Sequence, residues 1–86
     1  MYTQTSKNKI ITSNEIIIAD GFSSITIKNI GTDDIRVNDN ILIHTNESYV
    51  VNNRPDVLIS ENTSIIFNSN NAPKALIIKY YNNLKN

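Results

Sequence analysis

Short apolar segments recur along the chain about every ten residues, and polar or turn-forming residues separate them. Within the clearest segment, Ile25 and Ile27 alternate with Thr26 and Lys28. A period of two is typical of a β-strand with one buried face. No segment keeps apolar residues at helical spacing for more than one turn. The pattern predicts strands at 9–12, 15–19, 24–30, 35–37, 41–44, 48–51, 56–60, 63–68 and 75–81.

The segments between these strands contain residues that favour tight turns. Gly21 follows an aspartate, and Asn38, Asp39 and Asn40 stand together. Asparagine and aspartate adopt a positive φ more readily than other non-glycine residues, so they form turns where glycine is scarce. Arg54 precedes a proline and is thereby biased away from helical geometry, which predicts a loop over 52–55.

Short, regularly spaced strands without helices predict an all-β protein. We expect a single small β-sandwich or jelly-roll-like barrel of about eight short antiparallel strands. A chain of 86 residues has room for one core, so the sandwich should span 9–81. Residues 1–8 are polar and lack a period, which predicts an N-terminal arm, and 82–86 are predicted to form a polar C-terminal tail.

Several predicted strands carry more apolar residues than one face of a small sandwich needs. In 76–81, Leu76, Ile78 and Tyr80 share one face, while Ile77 and Tyr81 flank a lysine on the other. Strands that are apolar on both faces are prone to association unless something covers them. Loops or terminal arms could cover them, or an oligomer could. We favour the oligomer and predict interface residues Ile17, Tyr49, Ile77 and Tyr81.

Composition narrows the function classes. Eight basic and eight acidic residues give a net charge of zero, which disfavours a general nucleic-acid-binding protein. The absence of cysteine excludes disulfides, thiolate catalysis and cysteine-ligated zinc. No apolar run approaches the ~20 residues of a membrane-spanning helix. The first four residues lack the basic-then-apolar order of a secretory signal, so we expect no leader. We also expect no membrane partner and no cofactor.

Two groups of residues could carry chemistry, and each has an ordinary structural interpretation. Asp33, Asp34 and Asp39 lie in neighbouring loops, where their oxygens could bind Ca²⁺, but their spacing is not that of an EF-hand and aspartate is common in turns. His44 is expected to be a solvated or hydrogen-bonded strand residue.

Catalysis would need acidic groups facing each other across a cleft. The acidic residues that could serve all lie beside predicted turns: Glu15, Glu47, Asp56 and Glu61. A chain this short rarely builds a deep cleft as well as a core. We therefore expect no catalytic residues and predict that the protein is not an enzyme.

Four segments together resemble small virion proteins of tailed bacteriophages. They are 24–32 (SITIKNIGT), 35–38 (IRVN), 47–49 (ESY) and 75–81 (ALIIKYY), and the resemblance extends over about two-thirds of the chain. The shared features are strands joined by turns of similar sequence. The resemblance implies a non-enzymatic structural subunit of the virion, a capsid decoration protein bound to the major capsid protein or to itself. A homo-oligomer, for instance a trimer, is expected.

The same hairpins occur in adhesin and immunoglobulin-like modules, so a second hypothesis stays open. In it, the chain is a carbohydrate- or cell-surface-binding β-sandwich module of a phage fibre or bacterial adhesin. Aromatic rings can stack on sugars and anchor interfaces. This hypothesis predicts that tyrosines or asparagines cluster on one exposed face.

Overall fold

The computed structural model describes residues 2–52, 57–68 and 73–84, and these ranges contain eight β-strands and no helix. No helix in this part of the chain could therefore cross a membrane. The strands are β1 Tyr2–Ile11, β2 Glu15–Ile17, β3 Ser24–Asn29, β4 Ile35–Val37, β5 Ile41–Ile43, β6 Ser48–Asn52, β7 Thr63–Phe67 and β8 Ala75–Leu84.

The strands form two four-stranded antiparallel sheets. The first sheet has the order β1-β8-β3-β6 and the second has the order β2-β7-β4-β5. Four of the pairs are nested about the middle of the chain: β1 with β8, β2 with β7, β3 with β6, and β4 with β5. A long hairpin rolled up in this way is a jelly roll. The predicted all-β sandwich of about eight antiparallel strands is confirmed.

The core lies between the two sheets and follows the predicted alternation. In β3, Ile25 and Ile27 are buried and Lys28 is exposed. In β4, both ends are buried while Arg36 points to solvent. β-branched side chains pack well on a pleated surface, and isoleucine and valine provide most of this core. The buried apolar residues are Ile11, Ile17, Phe22, Ile25, Ile27, Ile35, Val37, Ile43, Ile65, Phe67, Ala75 and Ile77.

The predicted turns also adopt the expected geometry. Asn38 and Asp39 have φ values of 52° and 67° between β4 and β5. Asn46 has a φ of 68° in the turn before β6, and Gly21 has a φ of 110° before β3. Asparagine and aspartate tolerate this region because their short polar side chains can hydrogen-bond locally.

A buried asparagine links the β3–β4 connection, the end of β5 and the turn before β6. Asn29, at the end of β3, has no exposed surface. Its Nδ2 donates to the carbonyl oxygens of Asp33 at 2.7 Å and Ile43 at 3.1 Å, and its Oδ1 accepts from the backbone N–H of Gly31 at 3.1 Å. Its own backbone bonds to the turn before β6. One side chain thus satisfies three buried backbone groups, two in the β3–β4 connection and one at the end of β5.

The predicted terminal arm and tail are wrong over the described residues. Residues 2–8 belong to the ten-residue strand β1, and 82–84 complete the ten-residue strand β8. The two strands are paired along their whole length, from Tyr2 opposite Leu84 to Ile11 opposite Ala75. Backbone hydrogen bonds form the ladder whatever the polarity of the side chains, so a polar segment can be a strand when it has a partner.

Two further expectations need correction. The strand predicted at 15–19 is shorter, because β2 ends at Ile17 on the edge of its sheet, and Ile16 and Ile18 are 59% and 55% exposed. The described part of the predicted strand at 56–60, residues 57–60, is not a strand. Ile59 is still held to the core, because its N–H donates to the carbonyl of Phe22.

Candidate functional site

Strand β8 faces the core with the side opposite to the one predicted. Ile77 is 1% exposed and lies opposite the buried Ile27, so it belongs to the core. Ile17 is 3% exposed and is also a core residue. Both side chains were expected at an interface, but the core already covers almost all of their surface.

The outer side of β8 carries the apolar surface instead. We use the name outer apolar face for five side chains on the outside of the first sheet: Ile10, Val50, Leu76, Ile78 and Tyr80. Ile10 and Val50 are 54% and 56% exposed, and the three β8 residues are half-buried.

The register brings these side chains close together, with the exposed Lys28 beside Leu76 on the same side. Thr26 of β3 lies opposite Ile78 on one side and Val50 on the other, so the three form a row across the sheet. Ile10 lies opposite Leu76 in an adjacent row. Neighbouring residues on one face of an antiparallel pair are close enough for their side chains to contact.

The outside of the second sheet is different. Ile16 and Leu42 are exposed on it, Leu42 by 47%, and Ile66 is half-buried. The charged residue Arg36 lies directly between Leu42 and Ile66 in the register, so it interrupts the apolar surface. The outer apolar face is therefore the more extensive candidate for a protein contact.

The three tyrosines with described side chains point in different directions. Tyr49 is half-buried on the inner side of β6 and packs against the core, and Tyr80 lies on the outer apolar face. Tyr81 points to the inner side of β8, one residue past Tyr80, where the pairing of β8 with β3 ends. They do not form the shared aromatic platform that sugar stacking would use.

Tyr81 is held in a cluster with four other side chains. Its ring packs edge-on against Phe22, with centroids 6.2 Å apart, and its hydroxyl donates to Asp20 at 2.8 Å. The ammonium of Lys7 lies 5.1 Å above the same ring. Lys79 lies 5.4 Å from the centroid of Phe22, and its Nζ is 3.5 Å from an Asp20 oxygen.

The cluster shifts two ionisations in opposite directions. Burial and the hydrogen bond to Asp20 raise the pKa of Tyr81 to about 12. The same hydrogen bond, with a smaller contribution from the charge of Lys79, lowers the pKa of Asp20 below its usual 3.8 despite some desolvation. At neutral pH, neutral Tyr81 therefore faces ionised Asp20, and their hydrogen bond fastens the loop before β3 to β8.

A cleft opens beside this cluster, along the side of the sandwich where β1 and β2 are the edge strands. Its volume is about 490 Å³. The residues that line it include two isoleucines and Glu15 on β2, and mainly cationic residues on β1 and β8. They are Lys7, Asn8, Lys9, Glu15, Ile16, Ile17, Ile18, Asp20, Ile77 and Lys79.

Comparison of the chain with protein-family models, with curated proteins and with solved structures returns no match. The similarity to phage virion proteins accordingly stays a prediction from four sequence segments.

Of the residues considered for metal binding or catalysis, Glu15 lines the cleft, where it pairs with Lys9, and the other described ones do not line it. His44 Nδ1 lies 3.1 Å from an oxygen of Asp34, and the Glu47 carboxylate accepts the backbone N–H of His44 at 2.9 Å. Asp39 stands in its left-handed turn. Within the described ranges, no three His, Asp or Glu side chains are grouped to hold a metal ion. Asp56 lies outside the described residues, and Glu61 is exposed.

The outer apolar face was missed by sequence reasoning, although its β8 members were recognised as sharing one side. A partial signal was present, since Val50 and Ile10 also stand in predicted strands. The missing information was the register that aligns them with β8.

Proposed function

We propose that this chain is a structural subunit of a tailed-phage virion, a capsid decoration protein that acts as a homo-oligomer bound to the major capsid protein. The observation that supports an assembly is the outer apolar face, which remains in addition to a filled core. Large exposed apolar patches on small proteins usually mark interaction surfaces. The assignment to a virion depends on the sequence resemblance, since a jelly roll is shared by proteins of unrelated function.

A second copy of the chain is the occupant that best fits the outer apolar face. Two identical flat sheets can pack face to face, with each contributing the same residues to the contact. From strand lengths and spacings the first sheet offers roughly 500 Å² per chain. Two such faces bury about 1,000 Å², which is near the lower limit for a specific interface. The contact is therefore large enough for a weak pair in solution, and the shell would add further contacts in this proposal.

No observation favours the carbohydrate-binding alternative over this proposal. Jelly rolls do occur in lectins, but the described tyrosines lie on different faces. The neutral net charge likewise favours a protein partner over nucleic acid.

The proposal predicts that purified particles of the phage encoding this chain contain it in many copies. Quantitative mass spectrometry of density-purified particles would measure the ratio of this chain to the major capsid protein. A ratio that stays constant through repeated purification is expected, since a subunit of the shell is present in fixed stoichiometry. Loss of the chain during purification, with the major capsid protein retained, would contradict the proposal.

A further inference from the structure

We propose that the cleft between β1 and β2 binds an extended segment of the partner protein that presents a carboxylate to Lys7 and Lys79 and an apolar side chain to Ile16 and Ile18. This inference rests on the proposed function, because it takes the partner to be a protein of the shell. It adds the location and the chemistry of the contact.

Charge in the cleft is unbalanced at one place. Lys7 and Lys79 lie directly opposite each other in the register of β1 and β8, on the side that faces the cleft. Like charges in such positions repel each other. Asp20 lies 3.5 Å from Lys79, whereas Lys9 is bonded to Glu15.

Lys7 is the lysine of the cleft that has no ion pair. Its Nζ lies over the ring of Tyr81, and no carboxylate in the described part of the chain is within ion-pair distance of it. The Asp20 carboxylate interacts with it only at longer range, where the charge of Lys7 contributes slightly to the lowered pKa of Asp20. The three lysines and two carboxylates that line the cleft leave one net positive charge. An added carboxylate would neutralise that charge and could bridge the facing lysines with charge-assisted hydrogen bonds.

The β2 side of the cleft fits an apolar side chain, at the rim where Ile16 points to the outer side of its sheet. Ile16 and Ile18 are more than half exposed, and the buried Ile17 and Ile77 lie at the base. A volume of about 490 Å³ accommodates a few residues of a peptide rather than a folded domain.

Strand addition explains how one segment could meet both walls. β2 is a short edge strand, and edge strands can accept an extended peptide through backbone hydrogen bonds. Side chains of the added strand would alternate between the inner side, where Lys7 and Lys79 lie, and the outer side beside Ile16. The expected partner sequence therefore alternates acidic and apolar residues.

Inward-pointing lysines on an edge strand could instead serve only to prevent unwanted strand pairing. The variant Lys7→Glu separates the two roles. It keeps a charge at the edge and places that charge opposite Lys79, so the fold and the protection against pairing should survive. Binding of an acidic segment should not.

The test is an NMR titration of the isotope-labelled full chain with three capped pentapeptides. Their sequences are Thr-Ile-Glu-Ile-Thr, Thr-Ile-Gln-Ile-Thr and Thr-Ile-Lys-Ile-Thr. The acidic peptide should shift the amide signals of β1 and β2 and bind about tenfold more tightly than the glutamine peptide, because a charge-assisted hydrogen bond is worth about that factor. The lysine peptide should bind most weakly.

Lys7→Glu should weaken binding of the acidic peptide at least about tenfold. The matched control is Lys28→Glu, which reverses an exposed charge on the outside of the first sheet and should leave binding unchanged. Equal affinity for the three peptides, or an unchanged affinity after Lys7→Glu, would overturn the inference. Equal shifts from sodium phosphate alone would also overturn it, since they would indicate a simple anion site.

The titration can fail independently of the proposed function. If the chain is a stoichiometric component of particles but shows no preference for the acidic peptide, the cleft inference is wrong and the virion assignment stands. If the peptide binds as expected but the chain is absent from particles, the cleft binds a peptide and the virion assignment is wrong.

Discussion

Replacing Asn29 with alanine is expected to lower the free energy of unfolding by about 3 kcal/mol or more. The substitution leaves the N–H of Gly31 and the carbonyls of Asp33 and Ile43 without the partner they have now. Each buried group that loses its hydrogen bond costs ~1–3 kcal/mol, and some of that cost is recovered if water enters. Urea denaturation followed by circular dichroism measures the change.

Two variants make this result specific. Asn29→Asp keeps the shape and one acceptor but loses both donated bonds and buries a charge, so it should be at least as destabilising as alanine. Asn8→Ala, on the exposed outside of β1, should change stability by less than about 0.5 kcal/mol. If Asn29→Ala were as mild as Asn8→Ala, the hydrogen bonds of Asn29 would not be stabilising the β3–β4 connection and the end of β5.

Neighbouring isoleucines of β8 should respond very differently to the same substitution. Ile77→Thr is expected to cost about 3 kcal/mol, because it leaves space and a hydroxyl in the core beside Ile27. Ile78→Thr should cost less than about 1 kcal/mol, because position 78 is on the outside of the sheet and threonine keeps a high strand propensity.

The comparison is made by denaturation at the lowest workable protein concentration, so that association does not add to the measured stability. The two variants have the same chemistry and lie next to each other, so the difference between them reports which side of β8 is inside. The reverse order, with Ile78→Thr the more damaging, would contradict the face assignment and the outer apolar face with it.

The sequence was a good guide where one face of a strand is clearly apolar. β3 and β4 carry isoleucine or valine on one side and Lys28 or Arg36 on the other, so period and orientation were both predictable. The turn at 38–39 was equally predictable, because asparagine and aspartate have a local reason to adopt positive φ.

Orientation failed in β8 because both of its faces are apolar. The residues on the outer side, Leu76, Ile78 and Tyr80, are as apolar as those inside, and the inner side even includes Lys79. Lys79 is tolerated there because its ammonium lies over the Phe22 ring and reaches Asp20 beside the cleft. That arrangement depends on contacts between distant parts of the chain, so no local sequence pattern indicates it.

The length of the terminal strands could not be predicted for a related reason. The polar residues of β1 have no hydrophobic period, and their partner is at the other end of the chain. Pairing is supplied by the backbone, which is the same for every non-proline residue. The cleft could not be predicted from the sequence either, because its lining comes together only when β1, β2 and β8 lie near one another in the fold.

The outer apolar face leads to the central claim of this account, that the folded chain works in an assembly with copies of itself. Light scattering coupled to size-exclusion chromatography measures this directly on the purified chain, beside the variants Val50→Lys and Leu42→Lys. We predict a mass of twice the chain mass of 9.7 kDa, because the proposed contact joins two identical faces. Val50→Lys should return it to a single chain, because a lysine in the contact would be desolvated, whereas Leu42→Lys on the other sheet should not. A mass of 9.7 kDa for the unmodified chain at every concentration would contradict the claim.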